Sequence, residues 1–157
     1  MQLARLLTEI GLFIRAQRIQ MRFGELSRSP LRMLRFELRG RTAECEWLAR
    51  SADKWDADVP RHVCESNVSA QALKDVIDVR ELLFSALPEV DTASLRVFRN
   101  SAAGEPELII AGTVTREQVK PRHVSSLAMR AKLLGLHFWL QDGVLEALQS
   151  EECALSF

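Results

Sequence analysis

The stretch that decides the fold reads LRVFRNSAAGEPELIIAGTVTRE over residues 95–117, then a basic connector, then VSSLAMRAKLLGLHFWL over residues 124–140. It predicts a strand, a loop, a second strand, a helix that ends at Gly135, and a further strand. Residues 108–111 are continuously apolar, which is typical of a strand buried within a sheet. Gly112 follows them, where a bulge or a close backbone contact would fit. We therefore expect this stretch to form the structural framework of the domain rather than its functional site.

An Asp-Gly pair at 142–143 follows the stretch and is a strong hairpin signal between apolar segments. Residues 137–140, HFWL, predict a strand before it. Residues 144–148, VLEAL, fit either a partner strand or a short helix, because Ala, Leu and Glu favour a helix. We predict the hairpin.

A first hairpin is predicted upstream, over residues 31–49, where the hydrophobic period is two. Gly40 supplies its turn. One face is apolar and the other carries Arg and Glu that can pair across strands. The residues assigned to the apolar face are Leu34, Phe36, Leu38, Ala43, Cys45, Trp47 and Ala49.

The N-terminal segment predicts an amphipathic helix from about Gln2 to Met21, because apolar residues recur at the spacing of one helical face. Such a helix can cover the sheet, pair with a second copy of the chain, or lie at a membrane interface. Glu9 and the absence of an uninterrupted apolar region disfavour a cleaved targeting segment. The apolar residues proposed here as partner contacts are Leu3, Leu7, Ile10 and Phe13.

A second helix of about eighteen residues is predicted to begin after a cap at Ser66 or Ser69 and to end before Pro88. Residues 51–67 before it have no clear period and predict a long loop. Loops of this length in compact domains are often functional. Its residues Trp55, Asp56 and Asp58 are a second candidate partner site.

Composition bounds the class of protein. The 157 residues are 47% apolar, and 21 basic residues balance 21 acidic ones, so the bulk charge favours no particular partner. The balance hides a gradient, because residues 1–41 carry nine Arg and three Glu. Three cysteines without a CxxC spacing suit a reducing compartment. No apolar run reaches the roughly 20 residues that span a bilayer.

One domain over residues 1–157 is expected. It comprises an N-terminal helix and connector over 1–29, a strand-strand-helix unit over 31–88, and a second such unit over 94–149. The first strands of the two units begin similarly, with LRMLR at 31–35 and LRVFR at 95–99. An internal structural duplication is therefore a hypothesis.

No catalytic or metal motif stands out. Cys45, His62 and Cys64 lack the paired ligand spacing of a zinc site, and no Gly-rich phosphate loop or nucleophile turn is present. We expect no catalytic residue, no metal and no cofactor. The Arg-rich first quarter leaves nucleic-acid binding open, through phosphate contacts from Arg15, Arg18, Arg32, Arg35 and Arg39.

The predicted fold is a two-layer α+β domain with a mainly antiparallel sheet of five to six strands, helices on one face, and a preceding amphipathic helix. The expected function is a non-enzymatic, cytoplasmic interaction or assembly protein that forms a homodimer or binds another protein. The alternative is an Arg-rich module that associates with nucleic acid. A third hypothesis is a small enzyme that uses the loop over residues 53–64.

Overall fold

A computed structural model of the chain describes residues 2–22, 29–51, 58–101, 103–117 and 126–148. The helices are α1 (Gln2–Gln20), α2 (Arg61–Ala86) and α3 (Leu127–Leu133). The strands are β1 (Arg32–Arg39), β2 (Thr42–Leu48), β3 (Thr92–Asn100), β4 (Pro106–Thr115), β5 (Leu136–His137), β6 (Trp139–Gln141) and β7 (Val144–Glu146).

The main sheet has five strands in the order β1-β2-β3-β4-β5, and β6 and β7 form a separate two-stranded hairpin. All neighbours in the main sheet are antiparallel except β2 and β3, which are parallel. Helix α2 causes this exception, because it carries the chain back along the sheet before β3 begins. The predicted α+β class with a mainly antiparallel sheet is confirmed.

One face of the sheet packs under the helices. The register aligns Cys45 of β2 with Leu95 of β3, and Trp47 with Val97, so these side chains share a face. All four are fully buried in one apolar cluster that takes residues from α1, α2 and α3. The opposite face carries the charged side chains of β1 and β2. Helices therefore cover one face, as predicted.

Glycines fix two predicted features, one within the 95–140 stretch and one directly after it. A Cβ on Gly112 would lie 2.5 Å from the carbonyl oxygen of Gly135, so β4 and β5 approach as closely as they do only without a side chain there. Asp142 and Gly143 both have positive φ, at 53° and 81°. This is the backbone of a tight hairpin turn, and the β6–β7 hairpin is confirmed.

The predicted start of the second helix is wrong. Helix α2 begins at Arg61 directly after Pro60, and it has 26 residues. Proline suits this position because its fixed φ is compatible with the start of a helix and its missing N–H would have no partner there. Ser69 does not cap the helix but is buried within it, and its hydroxyl accepts a hydrogen bond from the Leu145 amide at 2.9 Å.

The β1 face assignment is wrong at one residue. The β1–β2 register shifts between Met33 and Arg35, so Leu34 is an extra residue in a bulge and is exposed.

The strand predicted at 137–140 is interrupted at Phe138, which turns into the core and separates β5 from β6.

The internal duplication remains a prediction. Each predicted unit contains a hairpin followed by a helix, β1–β2 with α2 and β3–β4 with α3. Because β2 and β3 are parallel, the β3–β4 hairpin runs in the opposite direction to the β1–β2 hairpin. The second unit is therefore not a simple translation of the first.

Candidate self-association surface

Helix α1 is anchored to the sheet along one side. Phe13 is fully buried and stacks on Phe36 of β1, with ring centroids 4.8 Å apart. Gln17 is also buried, and its amide donates to the Leu31 carbonyl oxygen at 3.4 Å. Met21 completes the buried side just past the helix. These contacts make the middle and end of α1 part of the chain's own core.

Large apolar residues also lie on the side of α1 that faces away from this core. Leu12 is 53% exposed and Ile19 is 70% exposed. Seven residues separate them, which places them on the same side of the helix. That side lies about 140–160° around the helix from Gln17. We call Leu12 and Ile19 the outer side of α1, because the packing of the described residues leaves these two apolar side chains exposed.

The partner residues predicted on α1 differ in their exposure in the structure. Leu7 is 60% exposed but lies about 140° around the helix from Leu12, on a different side. Ile10 is half-buried, and Phe13 is a core residue. The side chain of Leu3 lies outside the part of the chain that the structure describes. Leu12 and Ile19 were missed because they fall outside the spacing of the main apolar face, although their own i, i+7 spacing was readable.

The second predicted partner site is only partly described. Trp55 and Asp56 lie outside the described residues. Asp58 is exposed in the turn before α2. Because α2 begins at Arg61, the predicted long loop is shorter by the first two turns of this helix.

The uncovered face of the sheet holds a network of charged residues on β1, β2 and β3. Arg35 contacts Glu37, and it also lies 3.1 Å from Glu44 and 3.9 Å from Glu46. Arg39 pairs with Glu37 at 2.8 Å. Hydrogen bonds from Arg39 and Arg35 hold the pKa of the Glu37 carboxyl below its usual range. The network confirms the predicted pairing of Arg and Glu across the first hairpin.

The predicted nucleic-acid residues have two different environments. Arg15, Arg18 and Arg32 are exposed. Arg35 and Arg39 are engaged with carboxylates within the sheet, so their charge is largely neutralised there. The three arginines outside this network come from two elements, α1 and the start of β1.

A buried ion pair joins Arg50, which follows β2, to Asp75 of α2. Arg50 Nε lies 2.9 Å from Asp75 Oδ2, with both side chains almost fully buried. Arg50 also donates to the Met21 carbonyl oxygen at 2.8 Å, and Gln71 donates to Asp75 Oδ1 at 2.8 Å. Burial raises the pKa of the Asp75 carboxyl to about 6, against the opposing effect of the Arg50 charge. Sequence reasoning missed this pair, because its partners are distant in sequence and meet only in the folded chain.

A second arginine, Arg116, also donates hydrogen bonds to backbone carbonyl oxygens, here at the end of α2. Arg116 donates to the carbonyl oxygens of Phe84, Leu87 and Val90 at 2.7 Å each. Its guanidinium also lies over the Phe84 ring, 5.0 Å from the centroid. Carbonyls at a helix C-terminus lack partners within the helix, and a cation there satisfies them. Arg116, which begins the basic connector in the sequence, is thus a structural residue.

The cleft beside the start of α2 brings together no evident acid–base pair from the described side chains. This cleft has a volume of about 560 Å3 and includes Cys64. Four of its five charged residues form pairs, Arg61 with Glu65 at 2.9 Å and Arg99 with Glu107 at 2.7 Å. The enzyme hypothesis for residues 53–64 therefore gains no catalytic geometry from the described part of that loop.

Within the described ranges, no side chains are assembled into a site for a metal ion or for thiol chemistry. No group of three or more His, Cys, Asp or Glu side chains there could hold a metal ion. Cys45 is buried in the core, and burial raises the pKa of its thiol. His62 is exposed in the first turn of α2.

None of the described helices is long and apolar enough to cross a membrane. Comparison with known proteins finds no family model, no curated protein and no solved structure that matches this chain.

Proposed function

We propose that the chain is a cytoplasmic, non-enzymatic assembly protein that forms a homodimer through the outer side of α1. The observation that carries the proposal is the exposure of Leu12 and Ile19 on the side of the helix that faces away from its own core. Two exposed apolar residues on the same side of a helix are consistent with a protein contact surface. The free thiols at Cys45 and Cys64 suit the reducing cytoplasm.

The position of α1 supports a second copy as the occupant. The helix lies over β1, the outermost strand of the main sheet, through the contact between Phe13 and Phe36. A partner that approaches this edge of the sheet meets the helix and the strand together. In a two-fold dimer the same patch is used twice, so a small apolar patch on each chain contributes double its area.

Substitution of the outer side tests the proposal. The variant Leu12→Glu/Ile19→Glu places two charges on this surface and leaves the buried side of α1 unchanged. We expect light scattering to give a monomer mass of 17.8 kDa for the variant and twice that for the wild type. Removal of the whole helix is a poorer test, because it also takes Phe13 from the core.

The matched control is Met129→Glu/Leu133→Glu, which charges two similarly exposed apolar residues on α3. It should keep the mass of the wild-type dimer. Loss of the dimer in both double variants would show that general surface charge, rather than the α1 contact, controls association. An unchanged dimer in the α1 variant would refute the proposal.

Nucleic-acid binding is the second candidate, and the exposure of Arg15, Arg18 and Arg32 favours it. Phosphate contacts make such binding strongly dependent on salt. Filter binding of an RNA and a DNA oligonucleotide at two salt concentrations is the test. Binding at low salt that weakens in Arg15→Gln/Arg18→Gln would support this candidate, and no binding at low salt would dismiss it.

A further inference from the structure

The strand β1 forms one edge of the main sheet. Among the described strands it pairs only with β2, so the backbone groups along its other side have no strand partner. It has eight residues, and an edge of this length is a template for another strand unless something guards it. The bulge between Met33 and Arg35 disrupts the first part, which leaves residues 35–39 as the regular segment.

The charges of this segment complement their own reversed order. Arg35 and Glu37 both lie on the uncovered face, on either side of Phe36. If two copies of β1 run antiparallel about a two-fold axis at Phe36, Arg35 of each copy lies directly opposite Glu37 of the other. Opposite charges in directly facing positions stabilise a strand pair.

The neighbouring registers are disfavoured. A shift that keeps the faces matched must move the axis by one residue, since facing residues of antiparallel strands lie on the same side of the sheet. An axis at Glu37 places the two copies of Glu37 against each other and Arg35 opposite Arg39. An axis at Arg35 places the two copies of Arg35 together. An axis at Leu38 also gives two attractive pairs, with Glu37 of each copy opposite Arg39 of the other, but it places Phe36 opposite Gly40, which lies in the turn beyond the end of β1. The axis at Phe36 is the one that gives two attractive pairs without extending the pairing into this turn.

The same axis places the two α1 helices in one layer. A two-fold axis perpendicular to the sheet keeps α1 of both copies on the same face of the joined sheet. Each α1 is held over β1 by the stack of Phe13 on Phe36, so the two helices flank the axis.

We propose that two copies of this chain join through antiparallel pairing of β1 about a two-fold axis at Phe36, which makes one continuous sheet. This inference rests on the proposed self-association and specifies its geometry. Charged residues usually protect an edge strand from pairing. Here their alternating signs exclude most strands and admit a second copy.

A charge reversal at one position separates folding from association. In the β1–β2 register Glu37 faces Glu44, so Glu37→Arg replaces a like-charge pair within the monomer by an attractive one. The variant also loses the pairs with Arg35 and Arg39, but ion pairs at the surface contribute little to stability. The thermal stability of the monomer should therefore be retained. Between two copies, however, Arg35 of each chain now faces the arginine introduced into the other, and we expect the dimer dissociation constant to rise about tenfold or more.

Restoration by mixing provides the sharper evidence. Arg35→Glu places the introduced carboxylate opposite that of Glu37 and should also weaken the homodimer. An equimolar mixture of Arg35→Glu and Glu37→Arg restores attraction between facing positions, so native mass spectrometry should show mainly the heterodimer. The double reversal Arg35→Glu/Glu37→Arg restores both attractive pairs between identical chains and should form a homodimer again. If Arg35→Glu alone does not fold, because its introduced carboxylate lies beside Glu44 and Glu46, the double reversal provides the test of the β1 geometry.

The control is Thr113→Arg, which adds a charge to the same face of the sheet on β4, away from the edge. It should dimerise like the wild type. A wild type that stays monomeric refutes both the proposed function and this geometry. A wild-type dimer that Glu37→Arg does not weaken refutes the β1 geometry and leaves self-association standing.

Discussion

Replacement of Gly112 by alanine should destabilise the protein, because two strands meet there without room for a methyl group. The added Cβ would lie 2.5 Å from the Gly135 carbonyl oxygen and 3.0 Å from the Leu136 Cα. Both atoms belong to the backbone, so no side-chain rotation can relieve the contact. β5 is held to β4 by only two residue pairs, and we expect it to move away. The cost of such overpacking is roughly 1–3 kcal/mol.

Urea unfolding followed by tryptophan fluorescence measures this cost. The matched control is Gly11→Ala on α1, where nothing lies within 4 Å of the added Cβ. Alanine is favoured over glycine inside a helix by about 1 kcal/mol, so this variant should be more stable than the wild type. If Gly112→Ala proved as stable as the wild type, the close contact between β4 and β5 would be refuted.

The buried charged groups give three further predictions. Arg50→Met leaves Asp75 without its counterion and should cost about 3–5 kcal/mol in urea unfolding at pH 7. Asp75 has a pKa of about 6 when folded and 3.8 as the reference value, so the folded state binds more protons between these values and its stability falls as the pH rises. Between pH 4 and pH 7 the wild type should therefore lose about 2 kcal/mol relative to Asp75→Asn, and parallel pH profiles would contradict the assignment. Arg116→Met should cost about 2–3 kcal/mol, because it removes a charged donor from the last carbonyls of α2; an unchanged midpoint would show that water replaces it.

The elements that sequence predicts well are those whose burial repeats with a clear period. Helix α1 ends within about one residue of its predicted end, because Phe13 and its neighbours follow the spacing of one helical face. The first turns of α2 are the counterexample. Residues 61–63 are exposed and the next turn is only half-buried, so no apolar period exists to be read there. Pro60 was the available signal for the start of this helix.

The candidate surface was predictable only in part. The apolar pattern of α1 identifies which residues prefer burial, but not whether the chain itself or a partner covers them. Phe13 is covered by Phe36, which is distant in sequence, whereas Leu12 and Ile19 remain outside. The parallel pairing of β2 and β3 was equally hidden, because it depends on the path that α2 takes across the sheet.

The measurement that tests the central claim most directly is sedimentation equilibrium of the full chain over a hundredfold range of concentration. Self-association predicts a mass that rises with concentration from 17.8 kDa towards twice that value and then stays constant, as a closed two-fold dimer requires. A mass of 17.8 kDa at every concentration would contradict self-association. A mass that rises beyond the dimer would contradict a closed two-fold contact.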